Sequence, residues 1–385
     1  MLKRDYSSNL ETASRHTSAL VFEFGQAFVR VGITGESTPR IVIPILELLL
    51  HQEKDVSLRH SFWKSNLSIV GNSNKHYCTS CSILMDSKNK EWKDDDDDAN
   101  RSELVLLPWL RNLYTYQLFI KPKSRRVVVI LPISYPPKLQ YQLQRTLLED
   151  LQVPSVYFTH VFHTIPYAIG SRTGVIIDIG HAEARVAAYF DGILSEDTLQ
   201  IVPFGYTNCI HILTSQRNKT REQILNDLHS LDDDDETRRF LYTEYLLNLQ
   251  FHDSIMYAFL MMLSKCSIDL RRHVLESVSF VGGGVRGLPN FEKEFVQHLI
   301  HLYERSPVEE SSSLDGSVLK SSLRYPYRVK DRKYARFDCL GISILSCMNV
   351  IQLKFHSVSM AWVGGSIMAS IKNDRMKWIQ RDASS

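Results

Sequence analysis

From Ser18 onward the chain sets short apolar runs against polar punctuation. SALVFEFG, then AFVRVGI, then RIVIP behind Pro39 each have the length and β-branched content that predict a strand. A buried strand is predicted at 125–131, RRVVVIL, between two stretches of helical spacing near 103–120 and 137–150, the second opening after Pro136 and Pro137. A second strand-rich block begins at Gly174 with GVIIDIG, runs through ARVAAYF and reaches Val202; 215–275 then has helical spacing, broken by Asp232–Asp235. SVSFVGGG at 277–284 predicts a buried strand entering a glycine turn, with a helix from about Pro289. Residues 1–17, 51–102 and 306–322 are polar with little period and are expected as an arm, a divergent insertion and a Ser-rich loop. Strands alternating with helices indicate an α/β protein.

Composition narrows the class. The 385 residues are 44% hydrophobic, with 45 Lys and Arg against 43 Asp and Glu, so no basic excess points to nucleic acid. The apolar run 41–50 contains Pro44 and Glu47 and is too short to span a bilayer, so no membrane insertion is expected. The first residues lack an apolar signal core, and six cysteines in this length suggest reduced thiols; a cytosolic or nuclear compartment is expected. Cys78 and Cys81 beside His76 have the spacing of half a zinc site, but nothing nearby completes it. The runs Asp94–Asp98 and Asp232–Asp235 are expected to be solvated, because adjacent like charges cannot converge on one ion.

The chemistry lies in an internal repeat. Glu23-Phe24-Gly25-Gln26-Ala27-Phe28-Val29-Arg30-Val31 recurs as Asp178-Ile179-Gly180-His181-Ala182-Glu183-Ala184-Arg185-Val186. In each, an apolar strand delivers an acid, turns at a glycine two positions later and resumes as a strand. Such a hairpin lets backbone N–H groups approach an anion and sets a carboxylate to hold a hydrated Mg²⁺. Two of them facing one another would clamp a polyphosphate. Gly282, Gly283 and Gly284 form a third element that suits close approach of a ligand. Ala361–Ser370, AWVGGSIMAS, reads as strand end, glycine turn and helix, and as core rather than site.

Two acidic-x-Gly hairpins, a glycine nucleotide loop and a terminal WVGGSIMAS together resemble the actin fold; ESTPRIVIP at 36–44 and MKWIQRD at 376–382 resemble the segment after its first phosphate hairpin and its C-terminal helix. Within that superfamily, IKPKSRRVVVILPISYPPKLQYQLQRTLLEDLQVPSVYF at 120–158 and VPFG at 202–205 are most similar to the pointed-end actin-related proteins of dynactin, subfamilies ten and eleven. The resemblance implies a two-lobed α/β fold with duplicated ribonuclease-H-like cores around a nucleotide cleft. It divides the chain into a flexible arm at 1–17; subdomain 1 at 18–44, 103–168 and 360–385; a divergent subdomain 2 at 45–102; subdomain 3 at 169–204 and 277–359; and a divergent subdomain 4 at 205–276.

The same resemblance implies ATP or ADP with Mg²⁺ as a structural cofactor bridging the lobes. Glu23 and Asp178 would be the metal-associated carboxylates, Gly25, Gln26, Ala27 and Gly180 the phosphate turns, Arg30 the phosphate-contacting cation, and Gly282–Gly284 the loop beside adenine and ribose. The glutamine that orients the attacking water in actin corresponds to Val161, and a hydrocarbon cannot align water. His181 replaces the second hairpin's follow-on carboxylate and Arg185 its later histidine. His160 and His163 are candidate substitute bases, with a structural pair the favoured alternative. The implied role is a non-catalytic pseudo-ATPase in a hetero-oligomeric complex. It would cap the pointed end of the dynactin mini-filament, beside actin-like protomers and other pointed-end subunits, in dynein-driven microtubule transport, and the location so implied is cytoplasmic and cytoskeletal. The competing expectation is a nuclear actin-related subunit of a chromatin-remodelling complex; an active ATPase or sugar kinase is the third.

Overall fold

The computed structural model describes residues 18–44, 106–135, 137–228, 236–305, 327–372 and 376–380. The arm at 1–17, the acidic runs, the Cys78–Cys81 pair and the Ser-rich loop lie outside the described residues. The chain divides into two compact units, Met1–Ala168 with Ser359–Ser385, and Ile169–Val358.

The first unit is built on a six-stranded sheet. Strands β1 (Leu20–Phe24), β2 (Phe28–Ile33), β3 (Ile41–Pro44), β4 (Val127–Leu131) and β5 (Ser155–His160) are joined at one edge by Ile379–Gln380. The order is Ile379–Gln380, β5, β4, β1, β2, β3. β1 runs antiparallel to β2 and parallel to β4, and β4 parallel to β5. Every residue of β1 and β4 is buried, which is why LVFEF and VVVIL read as nearly continuous apolar runs instead of alternating.

Helix Met360–Lys372 packs on this sheet. The expected strand and glycine turn at 361–370 are therefore replaced by one continuous helix. Its glycines serve close approach: a Cβ on Gly364 would fall 1.9 Å from the Thr164 carbonyl oxygen, and one on Gly365 2.3 Å from Ile130. Trp362, fully buried, donates its indole N–H to the Val21 carbonyl over 3.1 Å, so the helix is pinned to β1. The segment expected as a C-terminal helix also differs. Ile379–Gln380 adds a strand to β5, and Trp378 lies against Arg126 and Tyr157. An unpaired strand edge and a ring with two partners outweigh the weak helical preference of so short a run.

The second unit repeats the plan. β6 (Gly174–Ile179) lies between β7 (Ala184–Phe190), antiparallel, and β10 (Val278–Val281), parallel; β8 (Ile193–Leu194) and β9 (Gln200–Val202) both pair with β7, and Val278 bridges in parallel to Val350. In each unit the first strand is central, flanked by its hairpin partner and by a later parallel strand. That is the duplicated core. Helices Ile255–Lys265 and Phe291–Leu302 contribute Phe259, Phe291 and Phe295; Phe259 packs edge-on to Phe295, and Phe291 and Phe295 each pack edge-on to Phe280 of β10. Helix Tyr206–Arg217 begins before the predicted helical region, and Phe291–Leu302 begins just beyond Pro289, after Asn290 takes a left-handed φ of 60°.

No helix among the described residues is long and apolar enough to cross a membrane. Cys209, Cys266, Cys339 and Cys347 are free thiols.

Candidate functional site: two acidic hairpins and a glycine loop

The first hairpin is set by register. Glu23 of β1 lies directly opposite Arg30 of β2, and Arg30 Nη1 donates to Glu23 Oε1 over 2.8 Å. Both residues are buried, Glu23 at 6% and Arg30 at 8% exposure, so the pair forms in a low-dielectric setting where each charge needs the other. The turn closes when Gly25 N–H donates to the Phe28 carbonyl over 2.9 Å; a Cβ at Gly25 would sit 3.0 Å from that same oxygen. Gln26 and Ala27 form the tip.

The second hairpin reproduces this arrangement. Asp178 of β6 faces Arg185 of β7, Arg185 Nη1 donates to Asp178 Oδ2 over 3.1 Å, and Gly180 N–H donates to the Glu183 carbonyl over 2.9 Å. Here the arginine takes a second acid, since its Nη2 also donates to Glu183 Oε1. Glu183 occupies the repeat position of Phe28, so the repeat itself shows this extra acid, although reading the acidic-x-Gly motif alone passes over it.

Helix Tyr206–Arg217 starts against this turn. Tyr206 N–H donates to the Gly180 carbonyl and Thr207 N–H to the His181 carbonyl. Those bonds spend two of the amides that a helix start leaves without intrahelical partners. The Thr207 hydroxyl lies 3.0 Å from His181 Nε2. Loss of solvent around the His181 ring, and then the nearby Arg221, hold it below its ordinary value. Tyr206, Thr207 and Arg221 had no motif to mark them, because only the packing of helices Tyr206–Arg217 and Arg221–Leu228 brings them near the turn.

The glycine loop belongs to the second hairpin. Val281 at the end of β10 is in register with Asp178. Gly282 has a φ of 96°, and a Cβ there would fall 2.4 Å from both Asp178 Oδ1 and the Ile179 carbonyl. At Gly284 a Cβ would lie 2.5 Å from the Ile179 side chain. Those two glycines are demanded by packing against the hairpin. Around Gly283 nothing lies within 4 Å, so it alone of the three faces open space. Gly283–Arg286 forms a short helical turn where a simple glycine turn was expected.

Val161 is the first residue of helix Val161–Ile169 and is buried. His160 and His163 stack on one another, ring centroids 3.7 Å apart. Burial, and next the neighbouring His163, lower His160 to about 4. A ring so hard to protonate is a poor general base near neutral pH.

A model of the actin family matches residues 14–209, slightly more than half of the chain and all of both hairpins. The chain belongs to the actin family. Among curated relatives, the SWI/SNF and RSC complexes subunit arp42 of Schizosaccharomyces pombe is 23% identical over 182 residues, covering 46% of this chain and 38% of that protein. Actin-related protein 4 of the same organism is 23% identical over 199 residues, 52% of this chain and 41% of the relative. Actin-related protein 10 of Dictyostelium discoideum is 22% identical over 215 residues, 54% and 42%. The match thus spans about two-fifths of each of these relatives.

Proteins of the actin family generally bind ATP or ADP with Mg²⁺. In the first unit the Gly25–Phe28 turn is of the kind that suits an anion, and in the second the open space at Gly283 leaves room for a ligand group. The carboxylates fit the metal less well. Glu23 and Asp178 are each engaged by an arginine. Among the described residues no group of three or more His, Cys, Asp or Glu could hold a metal ion. Mg²⁺ at a phosphate site keeps most of its water, so a protein cage of that kind is not required.

Proposed function

We propose that this actin-family chain is a non-catalytic subunit of the pointed end of dynactin, capping its actin-like mini-filament in the cytoplasm and supporting dynein-driven transport. The observation that carries the proposal is the stretch 120–158, whose likeness to pointed-end actin-related proteins is closer than the family-wide motifs require. The similarity to actin-related protein 10 of Dictyostelium discoideum supports the same reading. Capping follows from one-sided complementarity: one face docks on filament protomers, and a changed opposite face takes other pointed-end subunits instead of a further protomer.

Nucleotide is retained as a structural cofactor and turned over slowly or not at all. Val161 supplies no group to orient water, and His160 is held neutral and weakly basic. Protein loaded with γ-labelled ATP is expected to release label no faster than the uncatalysed control; sustained turnover overturns the pseudo-ATPase part.

A second reading is favoured by the relative named as a SWI/SNF and RSC complexes subunit: this chain would then serve a nuclear chromatin-remodelling complex. Tagging the chain in its own cells, purifying it gently and identifying the co-purifying proteins by mass spectrometry separates the two. Dynactin subunits support the first reading. A remodelling ATPase replaces it with the second.

A further inference from the structure

We infer that the outer face of the first unit, where Tyr116, Phe119 and Tyr141 stand among unpaired lysines, docks an acidic segment of another protein. The inference stands apart from the nucleotide and holds whichever complex the chain serves.

Two helical stretches build this face. The helix at 106–112 continues through Leu113–Leu118, and Pro137–Arg145 continues through Thr146–Asp150. Leu110 and Leu113 of the first, and Leu143 and Leu147 of the second, share one core with Leu20 and Phe22 of β1. Both stretches therefore cover the same side of the first sheet and turn their other sides to solvent. On those outer sides three aromatic rings are left out: Tyr116 is 70% exposed, Phe119 82% and Tyr141 63%. Phe119 also closes its helix with a left-handed φ of 54°. That position ordinarily belongs to glycine, because a Cβ there crowds the following carbonyl oxygen. A bulky ring held in disfavoured backbone and in water offers the fold neither packing nor backbone ease, so its use lies in what it meets.

Charge decides the occupant. From Val105 to Leu148 the sequence holds no Asp or Glu. Of the cations in this span, Arg125 is bound to the Ser18 carbonyl, Arg126 lies over Trp378, and Arg145 pairs with Glu149. Arg111, Lys121, Lys123 and Lys138 are exposed and have no ion pair among the described residues. Aromatic rings edged by cations, with no acid between them, match a partner that brings carboxylates around an apolar anchor. Nucleic acid fits less well: so few uncommitted cations neutralise few phosphates, and a chain of net charge +2 sets up little long-range attraction.

The test takes the full chain in the complex purified from its own cells and adds a carbodiimide, which joins a lysine amine to a carboxylate in direct contact. Mass spectrometry is expected to find Lys121, Lys123 or Lys138 joined to Asp or Glu of another protein. Joining to Asp94–Asp98 of this chain would instead assign the face to its own acidic run and overturn the inference. So would the absence of any joined lysine on the face, or nucleic acid joined to Tyr116 or Phe119 by ultraviolet light. Phe119→Gly separates docking from folding. Glycine suits the left-handed backbone, so the melting temperature is expected to hold or rise. Recovery of the joined partner is expected to fall about ten-fold. Full recovery of the partner, or a lowered melting temperature, would show that the ring does not serve docking and counts against the inference.

Discussion

Arg30 stands opposite Glu23 in the β1–β2 ladder and bonds it over 2.8 Å, the relationship that Arg185 and Asp178 repeat in the β6–β7 ladder at 3.1 Å. An antiparallel hairpin with a four-residue turn forces this pairing: an acid two residues before the turn glycine and an arginine five residues after it must be cross-strand partners. The same geometry that brings the carboxylate to the end of its strand thus also brings the group that neutralises it.

Removing one half of the pair should cost more than removing both. Arg30→Met leaves Glu23 as a buried charge without its arginine and is expected to destabilise by about 3–5 kcal/mol. The double variant Glu23→Met with Arg30→Met should recover most of that loss, because a hydrocarbon pair needs no desolvation. Urea unfolding of the two single variants and the double variant measures the coupling; additive losses would show that the pair is not an energetic unit.

Two glycines should respond in opposite ways. A Cβ at Gly364 would meet the Thr164 carbonyl at 1.9 Å, and backbone cannot swing aside as a side-chain tip can. The gain of about 1 kcal/mol in helix propensity is outweighed by overpacking, which costs about 1–3 kcal/mol, so Gly364→Ala lowers the melting temperature.

Gly283 has open space around it and lies in a helical turn. Gly283→Ala is expected to leave stability unchanged or raise it by about 0.4–1 kcal/mol. If the loop lies against the nucleotide, the same change weakens ADP binding by about ten-fold. Unchanged affinity would show that this glycine does not meet the ligand.

His160 predicts an acid limb in stability. Its folded value of about 4 lies below the ordinary 6.5, through burial first and His163 second. Between those values the unfolded chain binds more protons than the folded one, so stability is whole above about 6.5 and declines as pH falls towards 4. The urea midpoint should be lower at pH 5 than at pH 7, and His160→Phe should shrink the difference. Equal midpoints in the parent chain would contradict this origin.

The central strands and the hairpin repeat were legible because both are local. VVVIL is apolar throughout, LVFEF and GVIIDI are broken only by the acids Glu23 and Asp178, and the lengths of all three match buried strands. The acid, glycine and arginine lie within eight residues of one another, so their spacing already determines the ladder register. A family likeness then implied that the core is duplicated.

What local pattern could not decide was anything whose partner lies far along the chain. WVGGSIM reads as a turn until Gly364 and Gly365 meet Thr164 and Ile130, where only an absent Cβ permits the approach. MKWIQ reads as helix until Trp378 reaches Arg126 and Tyr157 beside the open edge of β5. The three glycines after β10 look alike in sequence, and contact with Asp178 and Ile179 alone separates the two that packing demands from the one left facing open space. Sequence determined which groups each hairpin carries, because ladder register is a matter of counting. Tertiary structure decided how deeply the ion pairs are buried and which helix closes on the second turn, because burial is set by segments that local spacing does not connect.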